Sequence, residues 1–103
     1  MEKFWKSISA LEAKEIIRQK SQAGDFCILD VRTENEFLSS AIPGAINLDF
    51  YAPDFSQKLD ALDKNKTYLI YCRSGSRSKA VLSMMKQLSF GYVYELDSGY
   101  ISL

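Results

Sequence analysis

The sequence predicts an α/β fold, in which an open, mostly parallel sheet carries helices on both faces. Short apolar runs rich in aromatic and β-branched residues, typical of buried strands, alternate along the chain with segments whose apolar residues recur at helical spacing. Strands that alternate with helices pair in parallel through right-handed crossovers. The chain has 103 residues, 47% of them hydrophobic, which is enough for one modest core. We therefore expect a single domain over residues 1–103.

The first half of the chain gives clear element boundaries. Two capping-box spacings, Ser9 with Glu12 and Thr33 with Glu36, each predict the start of a helix. Residues 26–31 are nearly continuously apolar, as in a parallel strand buried on both faces. Along the whole chain, the predicted strands are 6–8, 26–31, 45–48, 68–72 and 92–96, and the predicted helices are about 9–24, 33–39, 55–62 and 78–88.

The second half is organised by turns and apolar stripes. Pro43 and Gly44 turn the chain into the third, small strand. The next helix is predicted from inward-facing apolar residues, and the last helix from the stripe at 81, 84, 85 and 88. Gly91 suits the left-handed conformation that often ends a helix. The inward-facing residues of the 55–62 helix are Phe55, Leu59 and Leu62.

Composition excludes several classes of function. Thirteen basic and thirteen acidic residues balance, so net charge gives no indication of nucleic acid or a membrane surface as a partner. No signal peptide or long apolar run is present, and we expect a cytoplasmic protein. The two cysteines are then expected to be reduced thiols. With no histidine, the chain cannot build Cys/His catalysis or a histidine-containing zinc site.

The stretch from Tyr68 to Ser78 is the candidate functional site. It runs from an apolar strand, through a turn of small and basic residues, into a helix, and Cys72 ends the strand. In open parallel sheets, ligands bind at the carboxyl ends of the strands. Oriented amides of the turn, the positive helix start and the two arginines predict a Cys72 pKa below the free value. Cys72 is thus a candidate nucleophile that needs no general base.

This stretch resembles the active-site loop of rhodanese-like sulfurtransferases, Cys-Arg-x-Gly-x-Arg-Ser/Thr. Two upstream segments, residues 30–37 and 42–47, resemble two further signatures of that family in the same order. The chain departs from the family at Ala41, where a histidine is usual, and at 98–103, where a Gly-Gly pair and a tryptophan are common. The resemblance implies five strands with the cysteine-bearing strand in the middle. Members typically continue into a last helix beyond the position of Leu103, which leaves open what covers that face of the sheet.

The resemblance implies a thiosulfate sulfurtransferase of the rhodanese type. Its thiolate would take the outer sulfur of a donor such as thiosulfate and pass it, as a persulfide, to cyanide, a thiol or a protein acceptor. No metal or organic cofactor is implied. Cys72 is the expected catalytic residue, and the donor and persulfide are expected to be bound by Arg73, Ser74, Gly75, Ser76, Arg77 and Ser78. The mechanism requires peptide N–H groups directed at the sulfur, and a sulfur that solvent can reach.

Other interpretations of Cys72 remain open. Phosphatases and arsenate reductases also use a thiolate in an arginine-containing loop, but they place five residues between cysteine and arginine, whereas four lie between Cys72 and Arg77. A regulatory binding module, or an enzyme that needs a partner protein to deliver or remove sulfur, is a further alternative. The simplest alternative is a buried structural thiol, because cysteine is among the most buried residue types.

The residues near the site have expected roles as well. Asp30 and Arg32 are expected to act as scaffold, with Asp30 holding an arginine of the Cys72 turn through a bidentate ion pair. Cys27 is expected in the core near the start of its strand. Five residues at about 3.3 Å each separate its level from that of Cys72 by roughly 16 Å, which is too far for a disulfide between parallel neighbours.

Overall fold

The computed structural model describes residues 2–103 and contains one five-stranded sheet. All neighbouring strands are parallel, in the order β1-β5-β4-β2-β3, so β4 lies in the middle. The α/β fold and its open parallel sheet are therefore confirmed. The strands are β1 (Phe4–Ile8), β2 (Phe26–Asp30), β3 (Ile46–Asn47), β4 (Thr67–Tyr71) and β5 (Tyr92–Leu96).

Four α-helices connect the strands, and a short 3₁₀ turn follows β5. Both predicted capping boxes are present. In each, the Ser or Thr hydroxyl accepts from the N–H of the glutamate three residues later, and the carboxylate of that glutamate accepts from the N–H of the Ser or Thr. The helices are α1 (Ala10–Lys20), α2 (Glu34–Ser39), α3 (Phe55–Asp60) and α4 (Ser76–Gln87), and the 3₁₀ turn is Tyr100–Ser102. None of these helices, within residues 2–103, is long and apolar enough to cross a bilayer.

The core lies on both faces of the sheet because side chains alternate along β4. Tyr68, Ile70 and Cys72 belong to one apolar cluster, whereas Leu69 and Tyr71 belong to the other. Buried residues of α3 and α4 pack in the first cluster, and the buried residue of α1 packs in the second. The helices on both faces are confirmed, and β4 is buried on each side, as its sequence predicts.

The end of α4 differs from the prediction. The left-handed residue is Ser89, with φ 72°, and Gly91 is not in that conformation. The N–H of Phe90 donates to the carbonyl of Met85, and the N–H of Ser89 donates to that of Lys86, which is the Schellman pattern. The helix therefore ends at Gln87, four residues before the glycine, and the carbonyl of Gly91 instead accepts a hydrogen bond from Phe4 of β1.

Candidate functional site

The sulfur of Cys72 lies at the N-terminus of α4. Its Sγ accepts hydrogen bonds from the N–H groups of Gly75 (3.1 Å) and Ser78 (3.4 Å), and lies 3.5 Å from the Ser78 hydroxyl. Gly75 precedes the helix and has no side chain with which to cap it. The sulfur thus accepts from the third residue of the helix, as an N-cap oxygen would. The helix begins at Ser76, two residues earlier than predicted, so Ser78 is its third residue.

The surroundings of Cys72 favour its thiolate. Burial raises the pKa of the thiol, but the hydrogen bond with the Ser78 hydroxyl and those from the N–H groups of Ser78, Gly75 and Ser74 outweigh it. The resulting pKa of Cys72 lies below its ordinary value. The N–H groups that meet the geometry of a hydrogen bond to the sulfur are those of Gly75 and Ser78.

The sulfur is not open to solvent. Cys72 is 0% exposed, because it directly follows a strand that is buried on both faces and the backbone of the turn lies over the thiol. The expectation that solvent reaches the sulfur is therefore wrong for this conformation. A fully buried cysteine is also typical of a structural thiol.

The other predicted residues of the turn occupy different environments. Gly75 and Ser78 are buried beside the sulfur, whereas Arg73, Ser74 and Ser76 are exposed. Within residues 2–103 the Arg73 guanidinium forms no hydrogen bond or ion pair, although the Arg73 carbonyl is bound by the chain after β5. Arg77 is partly buried, and its guanidinium is bound to Glu36 of α2. The structure thus brings only part of the predicted set onto the thiol.

Arg77 forms a bidentate ion pair with Glu36 of α2. Its Nη1 and Nη2 lie 2.8 and 3.2 Å from the two carboxylate oxygens, and the two side chains are 16% and 28% exposed. The Arg77 guanidinium, helped by the capping hydrogen bonds of Thr33, lowers the pKa of Glu36 to about 2. The expected partner, Asp30, was therefore wrong: Glu36 holds the arginine of the Cys72 turn.

Asp30 is instead bound within its own turn. Its carboxylate accepts from the Arg32 guanidinium at 2.7 Å and from the Arg32 N–H at 2.8 Å, and both residues are buried. Arg32 also donates to the carbonyl of Ser40 and stacks over the Tyr100 ring at 4.4 Å. Arg32 follows Asp30 by only two residues in the sequence, whereas the Cys72 turn is some forty residues away along the chain. The ion pair therefore forms within the turn after β2. Asp30 and Arg32 are scaffold residues, as expected, but of the loop after β2.

The chain after β5 supports the turn from the other side. The Tyr100 N–H donates to the Cys72 carbonyl at 2.8 Å, and that of Ile101 donates to the Arg73 carbonyl at 3.1 Å. A Cβ on Gly99, whose φ is +72°, would lie 2.3 Å from the Arg73 oxygen. A Cβ on Gly75, at φ +104°, would lie 2.0 Å from the carbonyl oxygen of Asp97. These close approaches require glycine at both positions.

Glu95 was not predicted as part of the site. It is fully buried on β5, and its carboxylate accepts from the Ser78 hydroxyl and the Ser7 hydroxyl, both at 2.5 Å. The Lys79 ammonium lies 3.7 Å away. A glutamate within an otherwise apolar strand was the available signal, because such a residue must find partners when it is buried.

Cys27 lies away from the site. It is half-buried, packs against the first apolar cluster and is paired in register with Tyr68, at the opposite end of β4 from Cys72. Both cysteines are free thiols. The expectation that they do not form a disulfide is confirmed.

Comparisons with known proteins agree with this architecture. A family model described as "Rhodanese-like domain" matches residues 9–102. The chain is 32% identical over 98 residues to the thiosulfate sulfurtransferase GlpE of Coxiella burnetii, covering 94% of this chain and 85% of the relative. A crystal structure of SSP1007 from Staphylococcus saprophyticus is 31% identical with a TM-score of 0.73, over 96% of this chain and 89% of the other. A rhodanese-like domain protein from Staphylococcus aureus is 26% identical with a TM-score of 0.77, over 94% and 89%.

Proposed function

Because the chain belongs to the family of rhodanese-like domains, we propose that it is a sulfurtransferase that carries sulfane sulfur on Cys72. The observation that supports this proposal best is the position of the sulfur at the start of α4. There it accepts hydrogen bonds from the N–H groups of Gly75 and Ser78 in a chain that has no histidine. These donors favour a thiolate nucleophile without a general base.

The proposed reaction is a double displacement with thiosulfate as donor. The Cys72 thiolate attacks the outer sulfur of thiosulfate, the sulfur–sulfur bond of the donor breaks, and sulfite leaves with the electron pair. The persulfide that forms carries one negative charge on its terminal sulfur. An acceptor, cyanide or a thiol, then attacks that sulfur, and the Cys72 thiolate is regenerated. The relative from Coxiella burnetii is named for thiosulfate, which supports this choice of donor.

Arg73 is proposed to attract the anionic donor. Its guanidinium is exposed at the rim of the turn and unpaired within residues 2–103, whereas the charge of Arg77 is balanced by Glu36. A lone exposed charge acts over roughly one Debye length, about 10 Å at 0.1 M salt. Reaction with thiosulfate should therefore slow as ionic strength rises.

Access of the donor requires the turn to move. The sulfur is covered by the backbone that also donates to it, so a second sulfur atom fits only if the Gly75 and Ser78 N–H groups draw back from Sγ. The exposed residues of the turn are Arg73, Ser74 and Ser76, and the buried Gly75 lies between them. We propose that the closed turn over the buried thiol is the resting conformation. The persulfide would hold the turn in a wider conformation, with the N–H groups of Gly75 and Ser78 farther from Sγ.

The test is the intact mass of the purified chain after exposure to thiosulfate. We expect a gain of one sulfur atom that cyanide or a thiol removes, that Cys72→Ser abolishes and that Cys27→Ser retains. The matched cysteine variants show which thiol is loaded. A chain that gains no mass while Cys72 also resists a small alkylating reagent has a structural thiol, and the proposal is then wrong.

The acceptor is tested separately with the loaded protein. Rapid release of thiocyanate or of a low-molecular-weight persulfide indicates a small acceptor. Loading by thiosulfate followed by slow release to both indicates that another protein takes the sulfur. We propose a small acceptor. We also propose a reducing compartment such as the cytoplasm, which would keep both free cysteines reduced.

A further inference from the structure

The buried carboxylate of Glu95 has no role in the sulfur transfer proposed above. It lies on β5 beside the central strand, where its backbone is paired with Ser7 on one side and Ile70 on the other. One carboxylate oxygen accepts from Ser7 and the other accepts from Ser78, which in turn contacts the sulfur of Cys72. Glu95 is therefore connected to the thiol through a single hydroxyl group.

The Ser78 hydroxyl has one proton and three neighbouring acceptors. Its Oγ lies 2.5 Å from the Glu95 carboxylate, 3.2 Å from the Gly75 carbonyl and 3.5 Å from the Cys72 sulfur. A hydroxyl donates one hydrogen bond and accepts up to two. If the proton points to an ionised Glu95, the Ser78 oxygen accepts from the thiol. If Glu95 is protonated, the carboxyl donates to Ser78 and the hydroxyl donates to the thiolate.

We infer that Glu95 takes up the thiol proton of Cys72 through the Ser78 hydroxyl. The proton on sulfur moves to Ser78 Oγ, and the proton that Ser78 held moves to Glu95 Oε2. A thiolate and a carboxylic acid result, and Ser78 is again a neutral hydroxyl that now donates to the sulfur. This inference deepens the proposed function, on which it rests for the role of the thiolate. Glu95 acts through Ser78 and is a positioning residue.

The electrostatics of the site suit this exchange. Moving a proton within the pair transfers one negative charge from Glu95 to the sulfur without creating a second buried charge. When the negative charge is on the sulfur, the N–H groups of Gly75 and Ser78 stabilise it by hydrogen bonding. At Glu95 it meets the two serine hydroxyls and Lys79, the one cation facing it in residues 2–103, which is itself paired with Asp97 at 2.7 Å.

The burial of the thiol explains why its proton must be transferred within the protein. Cys72 is 0% exposed, so its proton has no direct path to water while the turn is closed. No histidine is present to accept it. Through Ser78, the carboxylate of Glu95 is within two hydrogen bonds of the sulfur. Thiolate can therefore form before the turn opens to admit a donor.

The experiment is a pH titration of the thiolate ultraviolet absorbance in the folded chain. A Cys27→Ser background leaves Cys72 as the only thiol, and absorbance needs no access of a reagent to the sulfur. Two groups that share one proton titrate in two steps that belong to the pair. We expect thiolate to appear in a partial step at acid pH and to be completed in a second step at higher pH.

Glu95→Gln keeps the size of the side chain but cannot take up the proton. We expect one step of full amplitude, lying at least about one pH unit below the second step of the parent because the neighbouring negative charge is gone. Ser78→Ala removes the connection without altering the carboxylate. We expect it to lose the partial step and to raise the pH of the remaining one. Glu34→Gln, the same substitution at an exposed residue of α2, should titrate as the parent does.

Two results overturn the inference. One is a parent that titrates in a single step, and the other is a Glu95→Gln titration that coincides with that of the parent. Circular dichroism identifies any variant that fails to fold, and Ser78→Ala then decides alone. Sulfur loading is a separate measurement. A two-step titration without sulfur loading supports the proton transfer through Ser78 and contradicts the proposed function. Sulfur loading with a single-step titration supports the proposed function and contradicts the proton transfer.

Discussion

Glu36→Gln should lower stability by about 1–2 kcal/mol near neutral pH. The pKa of Glu36 is lowered from 4.5 to about 2, and a difference of that size corresponds to about 3 kcal/mol of stabilisation of the ionised form. The pair is 16% and 28% exposed, so solvent screening reduces this upper value to about 1–2 kcal/mol. Glutamine retains the capping box with Thr33, so the loss is assigned to the ion pair with Arg77.

The pH dependence follows from the direction of the shift. A carboxylate with a lowered pKa in the folded state stabilises the fold fully above its ordinary value of 4.5. That contribution is lost as pH falls from 4.5 through about 2. The parent and Glu36→Gln should therefore differ most near neutral pH, and the difference should narrow at about pH 3.5.

Urea denaturation at both pH values measures the effect, and a melting temperature lowered by about 5–10 °C near neutral pH is the expected thermal counterpart. The matched control is Glu34→Gln, two residues away on the same helix, whose exposed carboxylate has no partner within residues 2–103. A difference between parent and Glu36→Gln that is constant with pH, or an equal loss in Glu34→Gln, would refute the reasoning.

The remaining predictions concern backbone space and a buried ion pair. Gly99→Ala should lower the free energy of unfolding by at least about 3 kcal/mol, because the site combines positive φ with a clash against backbone atoms. Gly44→Ala, at φ +85° in open space, should cost about 1 kcal/mol, and Gly24→Ala should cost close to none. Equal melting temperatures for the three variants would contradict this. Asp30→Asn should cost about 3–5 kcal/mol because it leaves the buried Arg32 charge without its counter-ion. A change in urea midpoint corresponding to less than 1 kcal/mol would show that the pair contributes little.

Local sequence signals predicted the elements of the fold well. Both capping boxes act within four residues, and the alternation of strand and helix determines parallel pairing with little freedom. The left-handed residue after α4 was wrongly assigned to Gly91, because Ser89 adopts the conformation that glycine normally supplies. In that case two backbone hydrogen bonds of the Schellman pattern outweighed the intrinsic preference of the residue.

The sequence indicated the position of the site but not its side-chain partners. Cys72 and its turn are adjacent in the chain, so their hydrogen bonds are local and could be anticipated. The partners Glu36 and Glu95 lie 41 and 17 residues from the side chains that they hold. Such pairs depend on strand order and register, which spacing along the chain does not reveal. The burial of the sulfur is likewise a property of the folded turn.

The turn that bears Cys72 is fastened at its two ends by different kinds of contact. Backbone hydrogen bonds from the segment after β5 hold its beginning, and a side-chain ion pair from α2 holds the start of α4. Between them, Ser74 and Ser76 face outward. For the sulfur transfer proposed above, we expect substitutions at these two serines to alter donor preference, because new side chains can be introduced there while both attachments stay intact. Engineering of the selectivity of this protein should begin at those two positions.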